Sequence, residues 1–370
     1  MNSPVSTTSE FPFVDYFVVC GLDYENGLEP ERYSATVQGN ELKTPLEKSY
    51  VSKIVGCFPE SRQDRPFRAD ILALCMPKGL RFSNQKDLPV EPTFHCFANI
   101  REDGSRIDGC ALTFYEEVRC PKICEAMQNL HAIHVKEITS EQHGEGKTNL
   151  LENGYHPPGT ISGGSHTLPR RGKVSRRSKR ASYYDPNRDT LFVSKVIALV
   201  GRVPVVGAAE SVLRSLHRLI SQPDPPPLPL ESYVYWLLYE VPLPPPAGTL
   251  KTTLVGLDVI CQRPGPDELP FFDYQLRDLF DLLPLDRFLK VYSCMLLEHQ
   301  ILLCSKELQR LMLVAESLAA LSFPFRYQHV YVPILPYSQQ SFLEAPVPFI
   351  MGLCYDEAIP DEVFQVQFSP

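Results

Sequence analysis

The chain has no apolar run approaching the ~18–20 residues that a bilayer-spanning helix requires, so any membrane contact is expected to be peripheral. No basic region precedes its first apolar stretch, residues 13–20, and the layout of a secretory leader is therefore missing. The 11 cysteines fall singly along 370 residues, which reads as reduced cytosolic thiols rather than a disulfide framework. A surplus of positive charge is absent too. The formal net charge is −8, which argues against a general nucleic-acid binder. Catalytic signatures are equally scarce: no serine sits in a G-x-S-x-G elbow, and no H-E-x-x-H helix occurs. Nothing specifies covalent chemistry, and no cofactor, metal or catalytic residue is expected. No internal repeat is evident.

What is present is globular in composition, with 44% apolar and 22% charged residues, and long enough for two lobes. Proline stands out at 35 residues, gathered in loops and one central tract. In FHCFANIREDGSRIDGCALTFYEEV (94–118) the residues Phe94, Cys96, Ala98 and Ile100 alternate on one side. Cys110, Leu112 and Phe114 do the same after the turn. A period of two suits a hairpin with one buried face, and Gly104 can take the positive φ of its turn. Pro121 fits the first turn of a following helix whose apolar positions are Ile123, Met127, Leu130 and Ile133. With a strand near residues 13–20, this predicts a first lobe over 10–138: a small sheet with helices on one side.

Residues 139–187 are rich in Gly, Ser, Pro and charge without apolar period, and read as a flexible linker. The second lobe, 188–353, is expected to open with the apolar strand LFVSKVIALV (191–200). Helices are expected over 273–283, 286–297 and 306–321, the last capped by Ser305, with apolar strands at 300–304 and 329–335. Strand, helix and strand, both strands apolar throughout, indicate a parallel sheet covered by helices. The predicted class is α/β.

Several clusters invite chemistry. GEGKT (144–148) has Glu141 where a phosphate loop needs its first glycine, and no strand precedes it. GRVPVVG (201–207) follows a strand but lacks the glycine spacing, so a plain turn is the better reading. Cys120, Cys124, His131 and His134 have metal-ligand chemistry, yet Cys124 and His131 would lie ~10 Å apart along one helix, too far for a shared zinc. The basic run Arg170, Arg171, Lys173, Arg176, Arg177, Lys179 and Arg180 can attract anionic lipid. Ser175, Ser178 and Ser182 among those charges are candidate phosphosites that would cancel the attraction. A solvated stretch and nuclear import are the other readings of that run. The proline tracts at 222–231 and 241–246 suit polyproline II display, although the aromatic stretch between them favours packing. Glu298, a charge in an apolar sequence, is expected to hydrogen-bond within the fold.

HCFANIREDGSR…ALTFYEE resembles the upstream segment of DENN-domain proteins, the guanine-nucleotide exchange factors of Rab GTPases. FVDYFVVCGLD (13–23), LCMPKGL (74–80), LPLESYVYWLLYEVPLPPP (228–246), LLEHQILLCS (296–305) and FPFRYQHVYVPILP (323–336) are similar to the same family in the same order. The likeness is nearest to members that also carry RUN and PLAT domains. It covers roughly 13–353, and the divergent tail 354–370 reads as the end of a truncated product. The resemblance implies a longin-like first lobe, a central DENN lobe and promotion of GDP release from a Rab-family GTPase. It also implies a cytoplasmic protein attached peripherally to Golgi or endosomal membranes. A noncatalytic or inhibitory Rab binder, and a scaffold recruited through the proline tract or the basic run, are the alternatives. Open parallel sheets bind ligands beyond their strand C-termini, which nominates Lys306, Pro336, Tyr337 and Ser338 as GTPase-contact positions.

Overall fold

The computed structural model describes residues 11–31, 43–100, 104–145, 184–254 and 256–356, with only the backbone described for 139–145 and 257. The chain begins with β1 (Tyr16–Gly21), β2 (Lys53–Phe58), the short helix α1 (Ile71–Cys75) and β3 (Phe82–Asn84). Then follow β4 (Thr93–Ile100), β5 (Arg106–Glu117), the helix α2 (Pro121–Glu145), β6 (Leu191–Gly201) and the helix α3 (Val206–Ser221). The strands join in one antiparallel sheet of order β2-β1-β6-β5-β4, with β3 paired to the start of β6. The predicted hairpin is β4–β5, in register at Cys96↔Cys110 and Ile100↔Arg106. Its turn contains Gly104 at φ +78°.

Three expectations are corrected here. The hairpin is buried on both faces rather than one. Phe94, Cys96, Ala98, Cys110 and Leu112 pack toward α3, while Phe97, Ile107 and Ala111 pack with Ile71 and Leu74 of α1 and Ile123 and Met127 of α2. Small or polar residues (Gly109, Ala111, His95 and Asn99) share the second face with Phe97 and Ile107 and concealed its burial. Gly109 shows why: a Cβ there would lie 2.2 Å from the Phe97 ring. Second, β6 does not open a second lobe. It is the central strand of the first sheet, antiparallel to β1 and to β5. Its continuous apolar run reported burial on both faces correctly, but such a run says nothing about which strands are its neighbours. Third, α2 runs on to Glu145, and Tyr184 is buried in the α1–α2 core, so the segment expected as linker is shorter at both ends. Ile133 is 51% exposed, and His134 instead faces inward on that helix.

The second half continues with α4 (Leu230–Tyr239), the hairpin β7 (Thr249–Leu254) and β8 (Leu257–Gln262), α5 (Leu276–Leu282) and α6 (Leu285–Leu296). It ends with β9 (Ile301–Ser305), α7 (Leu308–Leu321), β10 (Val330–Leu335), a 3₁₀ segment (Tyr337–Glu344) and β11 (Phe349–Cys354). As expected, β9 and β10 lie in a parallel sheet with α7 crossing between them. The sheet order is β10-β11-β9, so β11, which was not predicted, inserts between them. Gly352 permits that close fit, since a Cβ there would meet the Pro333 carbonyl oxygen at 1.9 Å.

The two sheets share one core. Leu213 and Leu216 of α3, Met312 and Leu318 of α7, Tyr331 of β10 and Ile350 of β11 belong to a single buried cluster with the first sheet. Each fully buried leucine or isoleucine contributes roughly 1.5–3 kcal/mol, so the halves are held by hydrophobic burial before any charge is considered. The free edge of β4 is covered rather than exposed, with Cys96 N donating to Gln309 Oε1 of α7 at 3.3 Å.

Candidate functional site

Parallel pairing brings the C-terminal ends of β9, β10 and β11 to one rim, with Cys354 opposite Ser305 and Leu353 opposite Leu335. Lys306, Pro336, Tyr337 and Ser338 therefore lie together, as the sequence rule required. Much of that rim is occupied by the first half of the chain. Asp356 receives Lys78 Nζ and Arg81 Nη2, each at 2.9 Å, and Tyr337 N donates to the Pro77 carbonyl at 2.9 Å. Pro336 is buried and Tyr337 is half-buried against this junction, so neither is open to an outside partner in this arrangement. Lys306 and Ser338 are exposed, and Lys306 Nζ stands 5.8 Å above the Tyr355 ring. Burial pushes the Asp356 carboxyl up, but the Arg81 and Lys78 cations outweigh it and hold the group at about 2. Burial also raises the Tyr337 phenol.

A second, deeper ionic cluster joins the halves. Arg106, at the start of β5, bonds Asp108 through Nε at 2.9 Å and Nη2 at 2.7 Å, and reaches both carboxylate oxygens of Glu316 on α7 at 2.9 Å. Tyr331 of β10 donates to Glu316 Oε1 at 2.5 Å. Asp108, Glu316 and Tyr331 are all buried. Burial opposes the Arg106 charge, yet Asp108 and Glu316 more than compensate and raise its pKa. Arg65 bonds the Arg106 carbonyl and, at 2.8 Å, Asp15; Asp15 also accepts from Arg202 at 3.2 Å. Arg202 also pairs with Asp64 and lies 4.3 Å over the Phe11 ring. None of these residues was singled out from sequence. One signal was available: Glu316 is the single acid within the apolar helix LQRLMLVAESLAAL.

The other candidates find ordinary roles. GRVPVVG leads from β6 into α3, whose first amides are already occupied: Gly207 N donates to Asp273 Oδ2 at 2.7 Å. An anion there would displace a carboxylate of the same chain. Of GEGKT, Gly144 and Glu145 end α2 and the rest lies outside the described residues. No cluster of three metal-ligating side chains occurs among the described residues. His131 and His134 face inward on α2, and burial lowers both, His131 to about 4. Glu298 pairs with His329 at 3.2 Å. The basic run and Ser175, Ser178 and Ser182 lie outside the described residues. The two proline tracts behave differently. Residues 241–243 bond backbone to backbone with 11–13, whereas Pro223, Pro225, Pro227 and Pro229 are exposed. No described helix is long and apolar enough to cross a membrane.

Comparison with known proteins bears on this geometry. The DENN (AEX-3) domain model matches residues 192–363, and the uDENN domain model matches 52–114. The chain is similar to the DENN domain and WD repeat-containing protein SCD1 of Arabidopsis thaliana, at 30% identity over 349 residues. The match covers 92% of this chain and 24% of that protein, so the chain spans about a quarter of the length of this curated relative. The first DENN-model residue, Phe192, lies in β6, which completes the sheet begun by the uDENN residues. The boundary between the two family models is therefore not a boundary in space.

Proposed function

Since the chain belongs to the DENN-domain family, we propose that it binds a Rab-family GTPase and promotes GDP release from it in membrane trafficking. We also propose that it belongs to the branch of that family whose members carry RUN and PLAT domains as well. Exchange makes no covalent bond. A nucleotide held at nanomolar to picomolar affinity is bound by about 12–16 kcal/mol, and release follows only if the exchange factor favours the emptied conformation by a comparable margin. That needs a broad surface that does not give way, above ~1,000 Å². The observation that carries the reading is the ionic seam between the two matched modules, with Arg106, Asp108, Glu316 and Tyr331 fixing one against the other. We assign the GTPase contact to the rim at the other end of β10 from that seam, beside the Asp356–Lys78–Arg81 contact. Lys306 and Ser338 are its outward positions, with Tyr337 and the buried Pro336 supporting them from behind.

Labelled-GDP release from a panel of Rab proteins, run beside a pulldown of the nucleotide-free forms, tests this. Accelerated release from one or a few Rabs is expected. Capture without acceleration would make the chain a noncatalytic binder, and equal affinity for loaded and emptied forms throughout would end the account. The basic run from Arg170 to Arg180 forms the peripheral, cytoplasmic membrane part of the proposal. It predicts co-sedimentation with phosphatidylserine vesicles that a phosphate-mimicking change at Ser175, Ser178 and Ser182 abolishes.

A further inference from the structure

The outer face of α4 is used neither by the seam nor by the rim. Tyr235 and Tyr239, one turn apart, are 58% and 54% exposed, with ring centroids 4.7 Å from each other and planes inclined at 38°. Two large aromatic side chains held together in water are more than a scattered exposed residue. At the α3–α4 connection, on the flank of α4 that carries Tyr233 rather than Tyr235, is a cavity of about 220 Å³ lined by Leu219, Ile220, Pro223, Pro226, Leu230 and Tyr233 among others, with Asp224 as its one charge. Ile220 and Leu228 add exposed apolar area.

The charge of this region is one-sided. Residues 219–250 contain Asp224, Glu231 and Glu240 but no lysine, arginine or histidine. Glu231 is one helical turn before Tyr235, and Glu240 follows Tyr239 directly. All three carboxylates are exposed, and none forms a hydrogen bond or ion pair among the described residues. The flanking cations in the chain are Arg218, in the last turn of α3, and Lys251, in β7. An aromatic pair with unpaired carboxylates on either side attracts a cation: the ring faces take a guanidinium by cation–π contact, and the acids add Coulomb attraction. The cavity at the α3–α4 connection, reached across the outer face of α4, takes an apolar side chain.

We propose that the α3–α4 face is a docking site for a segment of a partner protein that alternates arginine with leucine-like side chains. The arginines lie over Tyr235 and Tyr239 between the acids, and an apolar side chain fills the cavity. This surface is separate from the proposed GTPase rim, so the two readings fail independently.

The chain supplies its own reporter, because its single tryptophan is Trp236, between the two tyrosines. The probe is a fluorescein-labelled peptide, Leu-Arg-Arg-Leu-Arg-Leu, titrated into the full chain; an unlabelled copy is used for tryptophan emission. A copy with glutamine for each arginine is the control. Saturable binding that shifts Trp236 emission and weakens with salt is expected. Affinity should fall about tenfold in the Tyr235→Ala/Tyr239→Ala double variant, and similarly with Asp224→Asn, Glu231→Gln and Glu240→Gln combined. Tyr235→Phe/Tyr239→Phe, which keeps the rings, should restore most of it and guards against a folding artefact. Equal binding of the glutamine peptide, binding that leaves Trp236 emission and the alanine variant unchanged, or no binding would each overturn the proposal. Lys306→Ala should leave this binding intact.

Discussion

The two ionic clasps between the halves invert one another. In the deep one, a single cation, Arg106, is shared by two carboxylates, Asp108 and Glu316, both almost wholly buried. In the shallow one, a single carboxylate, Asp356, is shared by two cations, Lys78 and Arg81, with the groups roughly one-fifth to one-third exposed. A buried charge that loses its partner cannot turn to water, so the deep clasp resists opening. A partly exposed charge can exchange its partner for solvent at little cost. The first is suited to being a permanent seam. The second, at the rim beside Lys306 and Ser338, is suited to adjustment when something docks there.

The most severe way to test this contrast is Arg106→Met, which strands two buried carboxylates and should cost about 3–5 kcal/mol, read from the denaturant midpoint. A loss below ~1 kcal/mol would mean that the seam is no stronger than its shallow counterpart. Acid titration comes next. His95 is buried against the Leu74 carbonyl, and burial lowers it from 6.5 to about 4. Because the folded form disfavours its charge, stability present above the unfolded value should decline by about 3 kcal/mol as pH falls from 6.5 to 4. His95→Asn should remove about that share of the loss in a pH series of melting midpoints, leaving the part that His131 and His134 contribute.

Asp356 works in a lower window. Its folded value of about 2 is depressed, so its contribution is complete above the unfolded carboxylate value near 4 and is lost between about pH 4 and 2. Asp356→Asn should cost roughly 1 kcal/mol at neutral pH, since the pair is partly screened, and remove that acid dependence. A loss matching Arg106→Met would erase the distinction between the clasps. The smallest stability effect is expected from Lys306→Glu with Ser338→Glu, within about 0.5 kcal/mol, while GDP release from the cognate Rab falls several-fold. Unchanged release would move the contact away from the rim.

Much of the local structure was legible in the chain. The β4–β5 hairpin and its Gly104 turn followed from period and turn chemistry, and α6 and α7 from helical spacing. What could not be read was partnership. The apolar run of β6 declared burial on both faces but not that its neighbours would be β1 and β5, more than 70 positions away. Likewise Arg106 and Glu316 stand 210 positions apart, and Lys78 and Asp356 stand 278 apart. The lone acid in α7 hinted at a buried partner without identifying it. The rim rule placed Lys306, Pro336, Tyr337 and Ser338 together. It did not foresee that the first half of the chain would fill the space beyond the strands.

The central position of β6 has a practical consequence. A single cut anywhere in 146–183 would leave one fragment ending with a sheet that lacks its middle strand, and another beginning with that strand. Neither piece should hold its shape alone, yet the pair should reassemble on mixing, like two halves of a split reporter. A cleaved preparation that still runs as one particle would then be a folded heterodimer of its own fragments.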